Sequence, residues 1–226
     1  MKSTYKKIAK CSLQARILTG ISSLLEWDQE TYMPVGSSQI RGEQCKTLAG
    51  IVHRSMTCKR FGKDLGKLID LKTGAILDTT LSMVEQANLR EWRREYLKQT
   101  ALPAAFVERF AKMTSEAQVA WKEKKKRSQF QLFLPFLEKI VSLCRKKADL
   151  LGYLDHPYDA LLDLYEPDLT VRQTEQLFFT ISETLNPLIQ QTSKQQVDDS
   201  CVHGSFGEKE QIAFAEELLS AMGFDK

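Results

Sequence analysis

Apolar residues recur along this chain at intervals of three and four, and no stretch of useful length alternates at intervals of two. Leu13, Ile17, Ile21 and Leu24/Leu25 set the rhythm and predict one long amphipathic helix from about residue 3 to residue 30. Pro34 and Gly36 stop it. Ser37 or Ser38 can cap the next helix, whose expected apolar stripe is Ile40, Leu48, Ile51 and Val52. From Cys58 to Gly74 the pattern thins to Leu65, Leu68 and Ile69 among three glycines, which predicts a short helix and loops. Ile76, Leu77, Leu81, Val84 and Asn88 predict the start of a long helix running towards Lys98.

Leu102-Pro103 opens a further helix, with proline where its missing N–H costs least. Val107, Phe110, Thr114, Ala117 and Trp121 mark its course. Pro135 belongs near the start of a helix bearing Leu137, Ile140, Val141, Cys144 and Ala148, which ends near Gly152. Thr170-Val171-Arg172-Gln173 has the form of a capping box, and Leu177, Phe178, Ile181, Leu185 and Leu188 follow it. Pro187 predicts a kink or an early stop there. Apolar residues almost vanish from Gln191 to Gly207. Ile212, Phe214, Ala215, Leu218, Leu219 and Met222 mark a last helix, with Gly223 at its C-terminal cap. The fold class expected is all-α, built of long antiparallel helices. The expected division is a helical scaffold over residues 1–190, a polar loop over 191–208 and a terminal helix over 209–226.

Composition sharpens this only a little. At 226 residues, 42% hydrophobic and 27% charged, the chain is ordinary for a globular protein. Its net charge is +3 with both signs interleaved, so the whole-chain field points to neither nucleic acid nor an anionic membrane. No apolar run approaches the length of a membrane span. Cys11, Cys45, Cys58, Cys144 and Cys201 are odd in number and far apart. They read as reduced thiols of a cytoplasmic protein.

The candidate chemistry gathers in LEWDQETYMPVG, residues 25–36. Glu26 and Glu30 are four apart and share a helix face. With Asp28 and Trp27 beside them, they can serve acid–base or metal chemistry, or simply finish a helix whose elbow Trp27 anchors. The second reading is favoured because no histidine accompanies them. His53, His156 and His203 are the three histidines, and none stands four residues from another as a helical zinc site requires. His156, ahead of Pro157, is expected to cap or pack. Gly204-Ser205-Phe206-Gly207 matches neither a phosphate loop nor a serine elbow. Lys122, Lys124, Lys125, Lys126 and Arg127 form the densest basic cluster, broken by Glu123 at the end of a helix that cations favour. It reads as a solvated face, and so do Arg93 and Arg94 between Glu91 and Glu95.

Four blocks carry the reading further. Trp27–Pro34 (WDQETYMP), Arg41–Gly50 (RGEQCKTLAG), Thr114–Trp121 (TSEAQVAW) and Leu151–Pro167 (LGYLDHPYDALLDLYEP) resemble, in order, the N-terminal part of the thermostable-carboxypeptidase-like metallopeptidases, the M32 family. The resemblance implies a helical zincin-like fold related to neurolysin, a long groove and a homodimer. It implies removal of C-terminal amino acids from peptide substrates, with broad preference but not proline. In the full-length family zinc is held by a His-Glu-x-x-His helix and a later glutamate. That motif is absent here. No catalytic residue and no metal ligand is therefore carried over, substrate-binding residues stay unassigned, and no zinc is expected in this chain. The chain alone is expected to be inactive, as the scaffold portion of such an enzyme. The alternative is a non-catalytic helical binding or dimerisation module.

Overall fold

A computed structural model describes residues 2–195 and 198–224. These are helical with no strand among them; one isolated antiparallel bridge joins Ile69 and Ile76. The chain divides into two compact units, residues 1–171 and 172–226.

The first unit is built on α1 (Lys2–Thr31), α2 (Ser38–Met56), α3 (Lys59–Leu65), α4 (Met83–Ala101), α5 (Ala104–Lys126), α6 (Phe130–Leu151) and the short α7 (Asp159–Leu162). Its main core joins Ile8 and Ala15 of α1, Met56 at the end of α2, Phe61 and Leu65 of α3, Leu68, Ile69 and Leu81 of the following loops, and Leu89 of α4. A second cluster, Leu102, Phe106 and Leu143, seals α5 against α6. α5 is the central beam, with α2 packed along one side and α6 along another.

Three expectations change here. The face α1 buries is Ile8, Ala15 and Gln29, whereas Leu13, Ile17, Ile21 and Leu24 point outward. The helix carries apolar residues on two opposite faces, and periodicity alone cannot say which meets the core. α2 likewise exposes Ile40 and Ile51 and buries Arg41, Gly42, Gly50, His53 and Met56. On that face Gly42 and Gly50 leave room for α5, whose Glu116 and Glu108 side chains lie against them. Finally, α4 begins at Met83 rather than near Ile76. Ser82 Oγ accepts the Glu85 N–H at 3.3 Å while the Glu85 carboxylate accepts the Ser82 N–H at 2.8 Å, a reciprocal cap that starts the helix there. Ile76 and Leu81 still serve the core, but from a loop.

The second unit holds α8 (Val171–Thr192, its first residue in the first unit), a 3-10 turn (Ser200–Val202) and α9 (Glu208–Ala221). α8 runs through Pro187 without the early stop. None of its described residues from 172 on is buried, so Leu177, Ile181, Leu185, Leu218 and Met222 form no core of their own. Gly223 takes the left-handed φ of +77° that ends α9.

Candidate functional site

The stretch LEWDQETYMPVG forms the last turns of α1 and the elbow after it, and α2 and α5 grip it at three points. The Arg41 guanidinium pairs with Asp28 and donates to the Leu25 carbonyl. The buried Gln29 amide donates to Ser115 O at 3.2 Å and Gln118 Oε1 at 2.7 Å, while Ser115 Oγ donates back to Gln29 Oε1 at 2.7 Å. Lys122 Nζ reaches the carbonyls of Gln29 and Glu30 at 3.2 and 3.0 Å and pairs with the Glu30 carboxylate at 2.6 Å. A helix leaves its last carbonyls without internal partners, and this lysine from α5 satisfies two of them. Trp27 and Tyr32 stack edge to face across the elbow at 5.4 Å.

Above this junction a cleft of about 500 Å³ opens among α1, α2 and α5, lined in part by Glu26, Trp27, Glu30, Cys45, Ser115 and Gln118. Burial pushes the Cys45 thiol up from its ordinary value, away from the thiolate. Glu26 faces the cleft, but Glu30 and Asp28 are spent on Lys122 and Arg41. The carboxylates are thus fastenings of a helix end. Gln29 and Arg41 were not legible as fastenings, because their partners lie on other helices at no fixed spacing. Lys122 leaves the solvated basic cluster to which the sequence assigns it, and Lys125 lies over the Trp121 ring at 4.6 Å.

A second polar junction ties the 152–170 segment to α4. Arg94 pairs with Asp163 and, at 3.6 Å, with Asp168; Lys98 meets Asp163 Oδ2 at 2.6 Å. Asp163 also accepts the Asp168 N–H at 2.8 Å. Arg93 donates to the carbonyls of Leu71 and Lys72 at 2.9 and 2.8 Å. Arg93 and Arg94 are therefore clamps on two loops, not the solvated pair expected.

The three histidines stand apart. His53 is buried, with Nε2 at 3.0 Å from Gln99 O and 2.8 Å from Leu102 O; two acceptors require that Nε2 carry the hydrogen. Its Nδ1 is buried with no partner among the described residues. His156 Nδ1 accepts the Tyr158 N–H within its turn, and His203 Nε2 meets Asp199 at 2.8 Å. Among the described residues no three His, Cys, Asp or Glu side chains come together as a metal site. The donor set of the described residues does not fit a catalytic zinc.

The profile of the carboxypeptidase Taq (M32) metallopeptidase family matches residues 7–226. Thermostable carboxypeptidase 1 of Thermus thermophilus is 32% identical over 99% of this chain and 45% of its own length. Carboxypeptidase 1 of Bacillus subtilis is 31% identical over 90% of this chain and 40% of its own. A solved structure described as the BsuCP crystal structure superimposes with a TM-score of 0.90 at 27% identity, over 99% of this chain and 44% of that one. The apo-Mg Pyrococcus furiosus carboxypeptidase structure gives 0.78 at 28% identity, over 98% and 44%. The chain spans less than half the length of the curated relatives it matches.

Proposed function

The chain belongs to the carboxypeptidase Taq (M32) metallopeptidase family, and from that premise we propose that it forms the N-terminal scaffold of a metal-dependent carboxypeptidase, a hydrolase that removes C-terminal amino acids from peptides. The observation that carries this reading is the fate of the polar residues. Three of the candidate ligands in the first unit hold helices together: His53 at the α4–α5 junction, Asp28 and Glu30 against α2 and α5. Residues spent in this way supply rigidity, as a scaffold requires. The metal, zinc in this reading, is held by residues outside these 226.

The same proposal includes broad side-chain preference with proline refused, a cytoplasmic setting for the five reduced cysteines, and self-association of the chain. Self-association draws support from the exposed apolar residues on α1 and in the second unit.

The test is zinc titration of metal-free protein with a parallel peptide-release assay. The expected outcome is no stoichiometric zinc and no release of C-terminal residues. One tightly held zinc per chain together with release would overturn the scaffold reading.

A further inference from the structure

We propose that the cleft at the end of α1 is a binding site for a small aliphatic amine, held by the Glu26 carboxylate and the Trp27 ring. The α1 wall of the cleft belongs to the inward side of that helix. Ile8, Ala15, Ser22 and Gln29 stand seven apart on one side, and Glu26 follows Ser22 by four residues. α2 and α5 supply the facing walls, so the cleft lies between three helices of the first unit. Apolar side chains fill the neighbouring crossings. Here α2 offers Ala49 and α5 offers Ala111, methyl groups too short to fill about 500 Å³. A space of that order admits a small ligand.

The polar lining is rich in acceptors. Thr114 Oγ1 donates to the carbonyls of Phe110 and Ala111 at 3.0 and 3.1 Å, Ser23 Oγ to Thr19 O at 3.3 Å, and Ser115 Oγ to Gln29 Oε1 at 2.7 Å. A hydroxyl has one hydrogen, so these oxygens offer the cleft lone pairs alone. Glu26 adds a negative charge, and among the described residues it forms no ion pair. Burial is the main cause that raises the Cys45 thiol, and the Glu26 charge adds to it, so the carboxylate is felt from α2. Trp27 lines the same space with a side chain 56% exposed, and an indole face attracts a cation.

Lone pairs, a carboxylate and an aromatic face call for a ligand that donates hydrogens and carries positive charge. An alkylammonium does both. The cations at this junction are taken, Arg41 by Asp28 and Lys122 by Glu30. Gln118 spends its Oε1 on the Gln29 amide at 2.7 Å and leaves a neutral amide nitrogen, which adds no charge. A ligand with a carboxylate of its own therefore meets no free counter-charge. The site takes a plain amine and discriminates against an amino acid of the same length.

The full chain is titrated with pentane-1,5-diamine, which is free lysine without its carboxylate. Calorimetry is expected to show saturable one-to-one binding, with a change in tryptophan emission. Trp27→Leu removes that change and weakens binding about two- to fivefold. Glu26→Gln weakens it at least about tenfold, and so does replacing the probe by the neutral pentane-1,5-diol. Free lysine binds more weakly than the diamine. Ala49→Leu fills the cleft without touching a charge and abolishes binding, with the circular dichroism of the parent. Should Ala49→Leu lose its helical signal, Glu26→Gln, which conserves volume, decides. The absence of saturable binding overturns the proposal. Binding unchanged by Glu26→Gln puts the amine elsewhere and overturns it too, as does equal affinity for free lysine. None of these outcomes touches the scaffold reading, which rests on zinc and peptide release.

Discussion

Gly62 and Gly50 look alike in the sequence, each a glycine inside a helical stretch, yet they differ in what surrounds them. A Cβ on Gly62 would come within 2.1 Å of Tyr96 Oη and 2.5 Å of its ring carbon. Tyr96 packs on Phe61 at 5.8 Å between centroids, so making room means displacing a ring at the edge of the core. Gly62→Ala is therefore expected to cost about 1–3 kcal/mol by overpacking, read from the midpoint of a urea titration. A Cβ on Gly50 would meet the Glu108 carboxyl at 2.4 Å, the free end of a flexible side chain whose partner is Arg54. There the loss is confined to a surface ion pair worth well under about 1 kcal/mol. A glycine's neighbours come from other helices, so no local pattern could separate the two.

At the level of elements, Asp163 shows how a loop is fastened to a helix. Burial pushes its carboxyl up, but the Asp168 N–H, Lys98 and Arg94 together outweigh burial and hold it below the ordinary carboxylate range. An acid depressed in the folded state contributes its full stability above its unfolded value, near 3.8, and loses it as pH falls from there through the lower folded value. The melting temperature of the unmodified protein is thus expected to fall more steeply below about pH 4 than that of Asp163→Asn, which starts lower at neutral pH; equal slopes would remove Asp163 from the acid response. The helices themselves were largely legible, because three-to-four spacing, Pro34, Pro103 and Gly152 act within a few residues of what they control. Which face of α1 and α2 turns inward was not, since both helices carry apolar residues on opposing sides. The fastening residues Arg41, Gln29, Arg94 and Asp163 were equally hidden, because their partners across the helix junctions stand 13 to 89 positions away.

Across the whole molecule, burial is uneven. Leu65, Leu68, Ile69 and Leu89 are fully enclosed in the first unit, whereas the second unit buries none of its described residues. Local opening free energies follow buried contacts. Amide exchange is expected to be slowest in α3, α4 and the adjoining 66–69 turn, and fastest in α8 and α9; slow exchange in α9 would mean that its apolar face is covered in solution. His53 carries one more consequence. A single imidazole, reaching over from α2, bridges the two carbonyls around the bend before Pro103, so swivelling α4 away from α5 would break both hydrogen bonds at once.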